Sequence, residues 1–311
     1  FLNTFFMYDS PKKQSNPNNE FEISSIINIL LAKKVLILSF STTFFILALI
    51  VSLNISDKYR SKALLVPSIQ SESPSSMLGS YSAIAGIAGF SIPQSPQNKS
   101  QEAIKRLSSY EFFVTSFYPF INKEDLIAAR GWEKESNTII YDKSIFDPAL
   151  KEKNDSVISA FSEQEAFEIF SDFFIINEQD REGFLMISVD HFSPNISKEW
   201  LEVIIRNINE SMREIDKKAA ADAIDFLNTK LQENNLSEID DVISKILESQ
   251  MQILMMASIN KDYVFKIIDK PVVPEKRIYP NRIRIILFGI ILGFVSGCLI
   301  ILLKHFFINK D

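Results

Sequence analysis

Closely spaced carboxylates are the side chains in this 311-residue sequence that could break a covalent bond. Two carboxylates on either side of a glycosidic bond can act as general acid and as base or nucleophile. The candidate pairs are Asp222 with Asp225, and Asp240 with Asp241. Both pairs lie within or beside helical patterns, where such spacing is typical of a solvated helix face. We therefore expect no catalytic residue, and a glycosidase is an alternative that the pattern disfavours.

Histidine, cysteine and glycine positions do not predict a metal or cofactor site either. His191 and His305 are far apart in sequence, and the single cysteine, Cys298, lies in an apolar run, which excludes an intrachain disulfide. The glycine-bearing stretch from Gly79 to Pro93 lacks the GxxxxGK[ST] spacing of a phosphate-binding loop, and we interpret it as an apolar loop. A net charge of −6 gives no indication of a nucleic-acid partner. No metal and no cofactor are expected.

Two long uncharged runs, Val35 to Leu53 and Ile285 to Leu303, predict transmembrane helices. Each run has 19 residues, and a helix of that length spans about 28 Å, close to the hydrocarbon thickness of a bilayer. A cleavable signal peptide is the alternative for the first run, but its apolar region would be shorter and followed by a cleavage site. Lys33 and Lys34 favour a cytoplasmic N-terminus. The arginines just before the second run, among them Arg284, weaken that assignment.

The second run carries Gly289, Gly293 and Gly297, spaced four residues apart. On a helix these glycines share one face, where another helix can approach closely. Each would cost about 1 kcal/mol relative to alanine in a soluble helix, so a buried soluble helix would rarely carry three. We therefore predict a helix-packing face that takes part in the assembly, and regard the first span as a plain tether. A lipid-facing helix with glycines that permit bending is the alternative.

The segment 54–282 contains 26 basic and 35 acidic residues and shows a mixture of strand and helix patterns. Long domains translocate largely regardless of charge, so a location outside the cytoplasm is compatible with this composition. The predicted elements are a strand at Lys58–Pro67, a helix from Ser100 to about Phe117, a loop at Gly131–Pro148, a capping box at Ser162–Glu165, a buried strand at Gly183–Phe192 and a strand at Tyr263–Ile268.

Between the last two of these strands, apolar residues recur in steps of three and four along two helical stretches. The first stretch, Ser197 to Leu231, would be about 50 Å long as one helix, and Asn234-Asn235 ends it. This pattern predicts an antiparallel helical hairpin at about residues 194–260, or packing against neighbouring copies, with core helices of a compact domain as the alternative. The predicted oligomer seam consists of Leu201, Ile205, Ile208, Met212, Ile215, Ile239, Ile243 and Ile246.

Pro271, Pro274 and Pro280 lie between the last strand and the second span. Proline fixes φ, lacks the backbone donor and pushes the preceding residue to extended geometry. The sequence therefore predicts a stiff, non-helical connector that would hold the central domain at a set angle to the span.

The order of these features resembles the polysaccharide co-polymerases, the Wzz-type chain-length determinants. A proline-rich segment precedes a glycine-bearing C-terminal span, which is paired with an N-terminal span. Further stretches similar to the family are YRSKALLVP, KRLSSYEFF, GWEKESNTIIYDKSIFDP, MISVDHFSPNISKEWLEVIIRNINESMREID and PVVPE. Arg277 is a departure, because the family's proline spacing would often place another proline there.

The resemblance implies an α+β membrane protein of the bacterial inner membrane. Two transmembrane helices would flank a periplasmic domain that has a small membrane-proximal α/β base and a long extended helical hairpin. The implied parts are a cytoplasmic tail at 1–34, transmembrane helix 1 at 35–53, a periplasmic domain at 54–282, transmembrane helix 2 at 283–303 and a cytoplasmic tail at 304–311. With eight residues after the second span, a relative without the family's tyrosine-kinase domain is expected.

The implied function is a non-catalytic, homo-oligomeric regulator of the modal chain length of O-antigen lipopolysaccharide or a related surface polysaccharide. Its implied partners are other copies of itself and a separate polysaccharide polymerase in the same membrane, and a lipid-linked glycan is a further candidate. The alternative is a two-span periplasmic sensor, or a membrane scaffold unrelated to glycan length. A sensor needs a cytoplasmic output module, and residues 304–311 are too few to form one.

Overall fold

The structure, a computed structural model, describes residues 30–68, 96–150, 157–158, 160–179, 184–233 and 237–304. The chain divides into two compact units, which are residues 1–55 with 281–311, and residues 56–280. We call them the membrane unit and the central unit. The predictions made for Gly79–Pro93, Asn234-Asn235 and His305 lie outside the described residues, as do the side chains of Ile239, Asp240 and Asp241.

The helices and strands follow one another along the chain. The described helices are α1 (Lys34–Asn54), α2 (Pro96–Leu107), α3 (Tyr110–Phe112, continued by a π turn at Phe113–Phe117 and a 3-10 turn at Tyr118–Phe120), α4 (Lys123–Ile127), α5 (Glu163–Ser171), α6 (Pro194–Glu233), α7 (Ser237–Ile259) and α8 (Arg282–Leu303). The strands are β1 (Lys58–Pro67), β2 (Ala129–Glu133), β3 (Thr138–Tyr141), β4 (Phe174–Gln179), β5 (Phe184–His191), β6 (Phe265–Asp269) and β7 (Arg277–Tyr279).

The membrane unit contains α1 and α8, which are both long and apolar enough to cross a membrane. The hydroxyls in α1 do not interrupt it, because Thr42 and Thr43 donate to the carbonyl oxygens of Leu38 and Ser39, at 2.8 and 3.0 Å. At the start of α8, the Asn281 side chain accepts a hydrogen bond from the backbone N–H of Arg284. Both predicted helices are confirmed, with ends shifted by one residue in α1 and by three at the start of α8.

The central unit is built on an antiparallel sheet with the strand order β4-β5-β1-β6, in which β7 also pairs with β1. Strands β1 and β5 pair from Tyr59 opposite His191 to Leu65 opposite Leu185. Alternate residues of β1 point into the core, so Ala63 and Leu65 are buried. The strands predicted at 58–67, 183–192 and 263–268 are therefore confirmed as neighbours in one sheet.

Helix α6 covers this sheet, and its N-terminal half fills the main core. Its buried residues there are Trp200, Leu201, Ile204, Ile205, Ile208 and Met212. A group of aromatic rings closes the core on the other side, with ring centroids 4.5 Å apart for Phe117 and Phe170 and 5.6 Å apart for Phe117 and Trp200. Such pairs each add about 0.5–1.5 kcal/mol beyond the area they bury.

The long helical hairpin is also confirmed. Helix α6 has 40 residues and α7 has 23, which correspond to about 60 and 35 Å. Leu227 of α6 packs with Ile243 and Ile246 of α7 in a small cluster of its own, separate from the main core. The C-terminal part of α6 therefore leaves the sheet and is stabilised by α7.

The helix predicted from Ser100 to Phe117 is wrong in its bounds. Helix α2 begins at Pro96 and ends at Leu107, so Ser100 lies inside it and does not cap it. Ser109 starts the next helical turn, and its side chain accepts a hydrogen bond from the backbone N–H of Phe112. Serine at this position offers the backbone an alternative to the helical ladder, and the chain turns there.

The segment Gly131–Pro148, predicted to be a loop, contains most of a two-stranded hairpin formed by β2 and β3. Asn137 has a φ of 52° at the turn, a conformation that asparagine tolerates better than most residues. Its side-chain oxygen accepts a hydrogen bond from the Trp132 indole at 3.0 Å. The polar and charged residues at the turn between β2 and β3 interrupt the strand pattern in the sequence, which is why a loop was predicted.

Strand β4 was not predicted. It follows α5 directly, and that helix begins at the predicted capping box, in which Ser162 and Glu165 each bond to the other's backbone N–H. Its six residues pair with β5 from Phe174 opposite Val189 to Gln179 opposite Phe184. The half-polar sequence FIINEQ has no strand pattern of its own, so its structure depends on this pairing.

Candidate functional site

The glycine face of α8 packs against α1 of the same chain. A Cβ atom added to Gly289 would overlap the side chain of Ala48, and one added to Gly293 would lie 2.8 Å from the Cα of Ser41. Such separations are shorter than a carbon–carbon contact allows, so only glycine permits this approach. Gly289 and Gly293 therefore lie in close contact with α1.

The third glycine continues the same contact in the antiparallel direction. A Cβ added to Gly297 would lie 3.2 Å from the Cα of Ile37. Between the glycines, the Ser41 hydroxyl donates to the carbonyl oxygen of Ile290 at 3.3 Å. Small and polar contacts of this kind are the usual basis of helix association in membranes. The description of the first span as a plain tether is wrong, because α1 supplies the surface on which the glycines pack.

The proline connector is not helical, but it contains a short strand that the sequence did not predict. Pro271 and Pro280 are buried, whereas Pro274 is half-buried. The Ser61 hydroxyl of β1 donates to the carbonyl oxygen of Val272 at 2.9 Å. These contacts fix the connector on the sheet of the central unit.

Arg277, the departure from the family pattern, has a defined role in this segment. It lies in β7, which pairs with the first residues of β1. Its guanidinium forms an ion pair with Asp57 at 2.9 Å. A proline at this position would lack the side chain that forms this pair and the backbone donor of a strand residue.

Four residues of the predicted oligomer seam lie in the core of the chain itself. Leu201, Ile205, Ile208 and Met212 are each at most 3% exposed and belong to the main core. Because they cover the sheet of their own chain, they cannot face a neighbouring copy, and the oligomer role predicted for them is corrected to core packing.

The other seam positions differ in their surroundings. Ile243 and Ile246 are buried against Leu227 within the hairpin. Ile215 is 37% exposed, and its position on α6 leaves it on the surface of the central unit. Most of these heptad positions are therefore packed within the chain itself.

A buried asparagine that sequence reasoning missed connects the hairpin to the sheet. The Oδ1 atom of Asn209 accepts hydrogen bonds from the backbone N–H groups of Val264 and Phe265, at 2.8 and 2.9 Å. Its Nδ2 atom donates to the carbonyl oxygen of Phe265 at 3.0 Å. An asparagine among apolar heptad residues was the signal that could have identified it.

A second polar cluster joins three separate elements. The Lys99 ammonium of α2 donates to Asp216 of α6 at 2.5 Å and to the Tyr263 hydroxyl at 3.1 Å. The Tyr263 hydroxyl donates to the same Asp216 oxygen at 2.6 Å. Lys99 and Tyr263 are buried. The cluster therefore holds α2 and the chain after α7 against the middle of α6.

His191 is a structural residue in the core. Its Nδ1 accepts from the backbone N–H of Ser193 at 3.0 Å, which leaves its Nε2 to donate to the carbonyl oxygen of Asp125, also at 3.0 Å. Burial lowers the pKa of His191 from its ordinary value near 6.5. Both ring nitrogens are engaged with backbone, as expected for a histidine that is neither a ligand nor a catalytic base.

The carboxylate candidates do not form a site among the residues whose side chains the structure describes. Asp222 and Asp225 are exposed on α6, in agreement with a solvated helix face. Within the described ranges, no group of three histidine, cysteine, aspartate or glutamate side chains could hold a metal ion.

Comparison with known proteins identifies the N-terminal part of the chain. Residues 19–111 match the family model described as Wzz, chain length determinant protein. No curated protein matches the chain significantly.

Two solved structures are similar to the chain, with low sequence identity and low TM-scores. A full-length bacterial polysaccharide co-polymerase is 13% identical with a TM-score of 0.43, and the match covers 92% of this chain and 98% of that chain. A fragment of WzzB, a polysaccharide co-polymerase from Salmonella Typhimurium, is 14% identical with a TM-score of 0.31, covering 72% of this chain and 100% of the fragment. Similarity at this level says nothing about activity.

The matched segment includes the first apolar helix α1, the central strand β1 and helix α2. These elements contribute one half of the α1–α8 contact, the middle of the antiparallel sheet and the lysine of the Lys99 cluster. This part of the chain is similar to the Wzz chain-length determinant family.

Proposed function

We propose that this protein is a non-catalytic regulator of the modal chain length of O-antigen lipopolysaccharide or a related surface polysaccharide. The observation that carries this proposal is the match of residues 19–111 to the chain length determinant family. In the proposed mechanism the protein holds the polymerase, or the growing lipid-linked glycan, and makes or breaks no bond itself.

The proposed location is the bacterial inner membrane. Helices α1 and α8 would both cross it, which places the two chain ends on the same side. Lys33 and Lys34 favour the cytoplasm for that side. The central unit would then lie in the periplasm.

The buried polar groups of the central unit support a scaffold rather than an enzyme. Asn209 bonds to backbone groups of the last strand, and His191 bonds to backbone groups on both sides. The Lys99–Asp216–Tyr263 cluster joins three elements to one another. The Asn209 contacts fix the hairpin on the sheet, and the other two arrangements fix neighbouring elements, which is what a binding scaffold requires.

We propose homo-oligomerisation through the exposed apolar face of α7, because the predicted seam is largely buried within the chain. Met251, Met255 and Ile259 follow one another at four-residue spacing and are 56%, 54% and 70% exposed. Residues at this spacing form one stripe along a helix. Burying such a side chain contributes about 1.5–3 kcal/mol, so a stripe of three could hold neighbouring copies together.

The test is complementation of a deletion strain with the full-length gene, read out as the ladder of surface polysaccharide on a gel. We expect the deletion to flatten the modal distribution and the wild-type gene to restore it. An unchanged ladder after deletion would contradict the proposal.

A charge in the α7 stripe tests the oligomer separately. We expect Met255→Glu to reduce the oligomer mass, measured by light scattering in detergent, and to broaden the ladder. Gln252→Glu introduces the same charge at a neighbouring exposed position and should change neither. Equal effects of the two substitutions would exclude the stripe as the contact.

A further inference from the structure

The membrane unit contains an open groove at one end of the α1–α8 pair. Its volume is about 360 Å³, and the residues that line it include Leu31, Lys34, Ile37, Leu38, Phe294 and Cys298. Leu38 and Phe294 are 68% and 54% exposed. Apolar side chains dominate this lining, so in a bilayer the groove lies open to lipid chains.

The polar end of the groove is basic. Lys34 lines it, and Lys33 precedes it on the same turn. Lys304 falls at the same end of the pair, because Gly297 lies opposite Ile37 and the helices run antiparallel. Neither residues 30–55 nor 281–304 contain an aspartate or glutamate that could neutralise these lysines.

We propose that this groove binds one acyl chain of an anionic phospholipid, with the headgroup phosphate against the Lys34 ammonium. From Lys34 to Ser41 the groove follows α1 for seven residues, or about 10 Å, which matches the part of an acyl chain nearest the headgroup. A basic flank with no aspartate or glutamate in residues 30–55 and 281–304 selects a negatively charged headgroup over a zwitterionic one. The proposal rests on both helices spanning the membrane and is independent of the glycan.

The single cysteine provides a direct probe of this groove. Cys298 is partly exposed and lines it, so a lipid chain in the groove would cover the thiol. The experiment places the full-length protein in phosphatidylcholine nanodiscs with increasing phosphatidylglycerol and measures the rate of Cys298 labelling by N-ethylmaleimide. We expect phosphatidylglycerol to slow labelling in a saturable way. Native mass spectrometry of the same samples counts the phosphatidylglycerol molecules retained.

Two pairs of matched variants separate the groove from general attraction to the membrane surface. Lys34→Gln should raise the phosphatidylglycerol content needed for half-protection about fivefold, the effect of one lysine near an anionic surface. Lys33→Gln removes a neighbouring charge outside the groove and should change it less than twofold. Leu38→Trp should fill the groove and abolish the dependence on lipid, whereas Val35→Trp, an exposed neighbour that does not line it, should preserve that dependence.

Several results would overturn the proposal. Equal labelling rates in the two lipids, or equal effects of Lys34→Gln and Lys33→Gln, would mean that the groove has no headgroup preference. Slow labelling in detergent without phospholipid that becomes fast when residues 1–29 are removed would identify the preceding segment of the chain as the occupant.

Discussion

Removing the side-chain amide of Asn209 should destabilise the central unit more than any other single polar change on α6. In Asn209→Leu, two buried backbone donors, on Val264 and Phe265, lose an acceptor at 2.8 and 2.9 Å. The carbonyl oxygen of Phe265 also loses a donor at 3.0 Å. Each buried group left without a partner costs about 1–3 kcal/mol, so we expect a loss of about 4 kcal/mol in the free energy of unfolding.

The assay is urea unfolding of the full-length protein in detergent, followed by tryptophan fluorescence, to which Trp200, buried in the core, contributes. Asn207→Leu is a graded control, because Asn207 donates one hydrogen bond, to the carbonyl oxygen of Ser116 at 2.6 Å. We expect it to cost about 1 kcal/mol. Asn228 is exposed on the same helix, and Asn228→Leu should change little. A loss below about 1 kcal/mol in Asn209→Leu would refute the reasoning.

Two further predictions concern the buried ionisable residues. Because burial lowers the pKa of folded His191 below its ordinary value near 6.5, the unfolded chain binds the extra proton between these two pKa values. The contribution of His191 to stability is full above about pH 6.5 and is lost as the pH falls toward the folded pKa. The urea midpoint of His191→Gln should therefore depend less on pH, between pH 7.5 and 5.5, than that of the wild type. Lys99→Met should lower the free energy of unfolding by about 2 kcal/mol, because Asp216 loses a charged hydrogen-bond partner.

The control for Lys99→Met lies on the same helix. Lys105 is exposed on α2, and Lys105→Met should leave the unfolding midpoint unchanged. An equal effect at both lysines would mean that the Lys99 cluster is not a specific contact. For His191, a pH profile of the variant that parallels the wild-type profile would assign the pH dependence to other groups.

Local sequence patterns predicted the elements whose structure depends on local physics. A strand-like run that ends at a proline predicted β1, uncharged apolar runs predicted α1 and α8, and Ser162 with Glu165 predicted a helix start that both side-chain bonds confirm. Strand β4 and the β2–β3 hairpin depend on pairing with a neighbouring strand, which composition does not encode. The helix breaks after Leu107 because the Ser109 side chain competes for the backbone. The apolar pattern continues through this break and therefore does not reveal it.

The candidate interaction surfaces show a second limit of sequence reasoning. A heptad pattern indicates that one face of a helix is apolar. It does not indicate whether that face packs on the sheet of the same chain or on a second chain. Leu201 and Met212 are buried in the core of their own chain, whereas Met251 and Met255, which no heptad assignment selected, are exposed. The same ambiguity applied to the α8 glycines, whose partner turned out to be α1.

The occupied glycine face leads to a prediction about assembly. Since Gly293 lies against Ser41 and Phe44 of its own chain, Gly293→Leu must separate α1 from α8 before it affects any neighbouring copy. We expect this substitution to lower the thermal stability of the membrane unit, and Phe294→Leu, at an exposed position, to leave it unchanged.

If copies meet at the α7 stripe, substitutions in the stripe and in the glycine face should have different effects on the oligomer mass and the melting temperature. Met255→Glu should reduce the oligomer mass in detergent while the melting temperature of the chain stays near that of the wild type. Gly293→Leu should lower the melting temperature before it lowers the mass. Loss of the oligomer in Gly293→Leu at unchanged thermal stability would place the subunit contact in the membrane helices instead, because a contact between chains can be lost without unfolding, whereas the α1–α8 contact within one chain cannot.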